Sequence, residues 1–134
     1  MYKVGVIGGR CFNDQELMWP FLDTFEPFIL VSGGANGADS LAERYANSRG
    51  YDKIIHHAEW DKHKPPEGSN RKNPAGMIRN RLIVRDADIL IAYWDMKSPG
   101  TGGCIRLAQR RKPPMKSIYI INYISKEMTE KHYE

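Results

Sequence analysis

The sequence predicts an α/β fold: a doubly wound, mainly parallel sheet of about five strands with helices on both faces. Three observations carry this. Short apolar runs alternate with helix-like segments along the whole chain. Those runs are apolar throughout rather than at every second position, as strands buried on both faces must be. Glycine-rich pieces follow several of them, where such strands turn into helices.

The elements follow in order. Tyr2–Gly9 is a Val- and Ile-rich strand ending in glycine. Asp14–Phe25 suits a helix capped by Asn13 or Asp14, with Pro20 predicting a kink or a later start. Phe28–Gly33 is a second strand. In Ala38–Gly50 the residues Leu41, Ala42, Tyr45 and Ala46 share a helical face, and Gly50 stops the helix. Tyr51–Ala58 reads as a third strand. Arg79–Ala87 is helical and Ala87–Trp94 a fourth strand. A helix over Gly102–Lys112 follows a glycine-rich turn, and Lys116–Tyr123 is the fifth strand. One domain over residues 1–124 is expected, with 125–134 a polar tail or frayed helix. Glu59–Met77 lacks apolar periodicity and is long for a connection, so it is read as a lid or ligand-contacting arm.

The 134 residues suffice for one core without disulfides or metals. No apolar run approaches the roughly 18 residues of a membrane span. No signal peptide is read, so a cytoplasmic address and no membrane partner are expected. Cys11 and Cys104 are too few for a disulfide framework, and no Cys/His spacing suits zinc. No metal and no cofactor are expected. The net charge of +4 permits a phosphate-bearing partner without requiring one.

In parallel sheets ligands bind beyond the carboxyl ends of the strands. Gly8-Gly9-Arg10, Ser32–Gly37 and Ser98–Gly103 all follow strands and should share that edge. Glycines allow positive φ and close approach of a ligand, while the helix after them offers free N–H groups. Together they suit an anion. Arg10 can pair with a phosphate. Arg79 and Asn80, read as a helix start, suit an anion between them and the helix. Asp39 suits a ribose hydroxyl or a catalytic role, with Glu43 one turn on as its partner. Trp60 and Trp94, with Tyr93, suit base stacking or simple burial. Cys104 at a helix start is read as structural.

These motifs resemble the SLOG superfamily, in particular its small YspA-like, YpsA-related domains. The resemblance rests on Gly8-Gly9-Arg10-Cys11-Phe12, on Gly33 to Ala46, on Trp60, on Ala75-Gly76-Met77-Ile78-Arg79-Asn80, and on Gly100-Thr101-Gly102-Gly103. It implies a Rossmann-like fold that binds a nucleotide or nucleotide-derived ligand at those turns. With Trp94 added from its place at a strand end, the candidate ligand-binding residues are Gly8, Gly9, Arg10, Ser32, Gly33, Gly34, Gly37, Asp39, Trp60, Arg79, Asn80, Trp94 and Gly100–Gly103. A signalling nucleotide, held by a sensor or sequestering protein, fits that reading. Distant relatives include the Lonely Guy phosphoribohydrolases and the DNA-processing protein A family. Two alternatives follow: cleavage of an N-glycosidic bond in nucleoside monophosphates, and binding of single-stranded nucleic acid. The hydrolases' catalytic glutamate falls on Leu107 here, so Asp39 and Glu43 are the catalytic candidates. A homo-oligomer is compatible with the resemblance.

Overall fold

The computed structural model describes residues 1–133. Its six-stranded sheet has the order β3-β2-β1-β4-β5-β6, the strand order of a Rossmann-type sheet. The strands are β1 (Lys3–Gly8), β2 (Ile29–Ser32), β3 (Lys53–Ile55), β4 (Ile89–Trp94), β5 (Ser117–Asn122) and β6 (Met128–His132). The first five pair in parallel and β6 runs antiparallel to β5. Four helices connect them: α1 (Gln15–Leu22), α2 (Ala38–Arg49), α3 (Ala75–Asp86) and α4 (Pro99–Arg110).

The fully apolar strands bury both faces, giving two cores. On one face Val4, Val6, Leu30, Ile89, Ile91 and Tyr93 pack with Met18 and Leu22 of α1 and Leu41, Ala42 and Tyr45 of α2. On the other, Ile7, Val31, Leu90, Ala92 and Ile118 pack with Ile83 and Val84 of α3 and Cys104, Ile105 and Ala108 of α4. Every β-to-α connection therefore turns at the same sheet edge, and strand order reverses between β1 and β4. Among the described residues no helix is long and apolar enough to cross a membrane.

Four boundaries depart from the sequence reading. The polar tail forms β6 rather than a frayed helix, because the open edge of β5 supplies backbone partners from Ser117↔His132 to Ile121↔Met128. All five β6 residues are exposed, so their side chains carry no strand signal. β3 stops at Ile55, leaving His57 beyond the strand. α3 begins at Ala75, so Arg79 and Asn80 lie in its second turn. The glycines Gly100, Gly102 and Gly103 lie inside the first turns of α4, started by Pro99 at a position where its missing N–H costs nothing. Asp14 caps α1 as expected, accepting from the Leu17 amide at 3.1 Å, and Pro20 is carried within the helix.

The tightest junction joins β1 to α2. Gly37 has φ +80° and ψ −124°, a conformation open to glycine almost alone. A Cβ there would collide with the Gly9 carbonyl and lie 2.5 Å from the Arg10 carbonyl carbon. A side chain on Gly8 would meet the Ala38 Cβ at 2.8 Å. Gly37→Ala is expected to destabilise the fold by roughly 2 kcal/mol or more, from combined strain and collision. Chemical denaturation measures this; an unchanged midpoint would refute the packing described.

Candidate functional site

The carboxyl edge of the sheet collects the amino ends of α2, α3 and α4. Its centre is Gly33, just past β2. Asp39, in the first turn of α2, is only 5% exposed. Its carboxylate accepts the Ala35 N–H at 3.2 Å. Arg79 reaches over the end of the sheet from the opposite face and donates to the Gly33 carbonyl at 3.0 Å. A Cβ at Gly33 would lie 2.8 Å from both the Asp39 carboxylate and the Arg79 side chain. Glycine thus leaves room for both the acid and the arginine to pack against this position.

Around this centre the contacts form a chain. The Ser32 hydroxyl donates to Glu43 at 2.6 Å and accepts the Gly34 N–H at 3.4 Å. Arg79 donates to Asn80 Oδ1 at 3.2 Å, and Asn80 donates to the Gly100 carbonyl at 3.3 Å, tying α3 to α4. Trp60, 45% exposed, lies over Gly76 at the head of α3. Its carbonyl takes the Asn73 amide at 2.8 Å, which closes the base of the long arm.

The edge is less open than three free glycine turns would be. The Gly9 carbonyl accepts the Ala38 N–H at 3.1 Å, capping part of the α2 terminus. The Gly34 and Ala35 amides are engaged by Ser32 and Asp39. Among the described residues the amides of Asn36 and Gly37, and those of Gly100 and Thr101 in α4, have no protein acceptor outside their helices. Nothing lies within 4 Å of a Cβ position at Gly100, so that glycine faces open space.

Other candidates sort differently. Gly8, Gly9 and Gly37 pack backbone against backbone at the β1–α2 junction, with exposed Arg10 beside them. Trp94 lies on Gly102 and donates to the Ser98 carbonyl at 2.9 Å. Tyr93 is a core residue, stacked on Phe12 with ring centroids 4.8 Å apart. Cys104 sits in the second turn of α4, where burial pushes its thiol up to about 12, against any activation by the helix end. Thr101 is buried. No group of three metal-binding side chains occurs among the described residues.

The sequence reading missed two neighbours. The His57 ring lies against Gly34, its Nδ1 2.5 Å from where a Cβ would stand. Met77 reaches from α3 onto Gly103 of α4. Both contacts join segments far apart in the chain, so no local spacing announces them.

Burial raises the Asp39 carboxyl to about 6, with Glu43 adding to the rise. The Ala35 N–H and the Arg79 charge oppose it. The folded value exceeds the unfolded one, near 3.8. The folded protein therefore holds an extra proton between those values, and stability falls as pH rises through that window. Asp39→Asn is expected to stabilise the fold at pH 7 by up to about 3 kcal/mol, with the gain vanishing near pH 4. Denaturation curves at the two pH values test this; a gain independent of pH would contradict it.

Residues 2–63 match the model of the YspA, cpYpsA-related SLOG family. The Gene 61 protein of Mycobacterium phage D29 is 32% identical over 126 residues, covering 86% of this chain and 94% of that protein. Among solved structures, DNA processing protein A of Helicobacter pylori, described for its single-stranded DNA binding mode, superposes with a TM-score of 0.62 at 22% identity. The Streptococcus pneumoniae DprA structure gives 0.64 at 20%. Each match covers 90% of this chain, which spans 65% and 50% of those chains respectively. At such identities the two likenesses speak for the fold.

Proposed function

The chain belongs to the YspA, cpYpsA-related SLOG family, and from that premise we propose that it binds a nucleotide or nucleotide-derived ligand at the carboxyl edge of its sheet. The observation that carries the reading is the Asp39–Gly33–Arg79 centre. A carboxylate held in a buried position at a cost in stability, beside an arginine from the opposite layer, is a common mark of a binding site. The single-stranded DNA in the description of the H. pylori neighbour supports the broader class, a partner built of nucleotide units.

Each part of such a ligand has a counterpart. Phosphate oxygens suit the free amides of Asn36 and Gly37 and of Gly100 and Thr101, with Arg10 and Arg79 supplying charge. Asp39 suits a ribose hydroxyl. A base suits the exposed face of Trp60 better than Trp94, whose indole N–H is already committed to Ser98.

The same contacts favour holding the ligand over cutting it. Leu107 occupies the position matched to the hydrolases' glutamate. Asp39 and Glu43 are both engaged, by Ala35 and Ser32. A pair poised for acid–base work at a glycosidic bond needs room for a water and a leaving group.

Calorimetric titration with nucleoside mono- and diphosphates, cyclic nucleotides and ADP-ribose tests the proposal. One ligand per chain is expected. Arg79→Ala and Asp39→Asn should each weaken it at least tenfold, or about 1.4 kcal/mol. Chromatography should detect no released base. Absence of binding across the set, or binding indifferent to both substitutions, would overturn the reading.

A further inference from the structure

Charge is unevenly spread along the chain. Residues 1–60 hold five Lys and Arg against eight Asp and Glu, whereas residues 61–112 hold twelve against five. The fold converts this into a difference between the two faces of the sheet. Helices α1 and α2 carry Glu16, Asp39 and Glu43 against Arg44 and Arg49. Helices α3 and α4 carry five arginines, no lysine, and Asp86 as their one acid.

Those arginines are ordered. Met77, Arg81 and Arg85 follow one another at intervals of four on α3, and Arg106 and Arg110 do so on α4, so each set forms a row along one side of its helix. Met77 touching Gly103 sets the two rows side by side. Packed helices lie about 8–10 Å apart. Both helices start at the carboxyl edge, so the rows run from that edge down the face. Arg85 is paired with Asp86, while Arg81, Arg106 and Arg110 are exposed and, among the described residues, hold no partner. The guanidinium of Arg106 bends back to within 3.5 Å of the Cβ position at Gly102. At the head of the track stand the half-exposed Trp60 and, behind Gly102, Trp94.

We propose that the outer face of α3 and α4 is a binding track for a single-stranded polynucleotide. Arg81, Arg106 and Arg110 contact successive phosphates and Trp60 stacks on a base at the head of the track. Arginine matches phosphate oxygens bidentately, and an exposed indole beside a basic row takes any unpaired base. A duplex hides the base faces that Trp60 would need. Arg81, Arg106 and Arg110 take no part in the Asp39–Arg79 centre, whereas Trp60 is shared with it, so it is the triple substitution that lets the two readings fail independently.

Fluorescence anisotropy of the full chain with a labelled oligothymidylate of twenty nucleotides, titrated between 50 and 200 mM salt, tests this. Binding should weaken steeply with salt. The triple variant R81Q/R106Q/R110Q should bind at least tenfold more weakly at 50 mM salt, and its log–log salt slope should be shallower by about 2. Trp60→Ala should weaken binding and leave the slope unchanged. Mononucleotide binding should survive the triple substitution, and matching melting temperatures should show that the variant is folded. The proposal is overturned if the oligonucleotide does not bind at 50 mM salt or if the folded triple variant binds like the parent. Equal or tighter binding of a duplex, or of anionic phospholipid vesicles, would also overturn it.

Discussion

The close approach of Gly9 and Gly37 is the constraint on which the rest depends. The Gly9 N–H donates to the Tyr93 carbonyl at 3.1 Å, and the Gly9 carbonyl takes the first free N–H of α2. One residue thus bonds β1 to both β4 and α2, at the point where strand order reverses. A side chain at Gly37 would separate these three elements. With them fixed, Asp39 falls one residue into α2, next to Gly33, and α3 can bring Arg79 across from the opposite layer. The candidate site is therefore a consequence of a backbone junction rather than of a flexible loop.

That junction also explains why the glycines, alike on the page, have unlike roles. Gly8 and Gly37 are small because backbone presses on them, and Gly34 because His57 does. Gly33 is small so that an acid and an arginine can approach. Gly100 alone among those at the edge faces open space. A helix end offers donors only where they are not already bound, and at α2 several are. The α4 end, with Gly100 and Thr101, is the less encumbered place for an anion.

Much of the architecture was legible in the sequence because parallel strands buried on both faces must be continuously apolar, as in the runs from Lys3 and from Ile89. The sharing of one edge by Gly8, Gly33 and Gly100 followed from strand alternation alone. β6 was not legible, since Met128–His132 is held by backbone bonds to β5 and buries nothing. The start of α3 was misplaced because Ala75-Gly76-Met77 looks like a continuation of the loop, and tertiary contacts decide where the helix begins. His57 against Gly34 and Met77 against Gly103 are meetings between distant segments. A single sequence has no term for them.

Arg79 links the two electrostatic features of the molecule. It belongs to the arginine-bearing face of α3 and α4, yet its guanidinium turns away from that row to the Gly33 carbonyl. There its attraction lowers the carboxyl pKa of Asp39 without cancelling the rise imposed by burial. A buried acid that titrates at about 6 accepts hydrogen bonds as a carboxylate at neutral pH and can donate one once the pH falls below that value, while the arginine beside it keeps a field for phosphate. The pairing thus combines a switchable hydrogen-bonding group with a fixed positive charge, which is the combination needed to hold a sugar and its phosphate side by side. Of the remaining arginines of α3 and α4, Arg85 is paired with Asp86, while Arg81, Arg106 and Arg110 have no acid beside them among the described residues, so their charge is directed outward along the face.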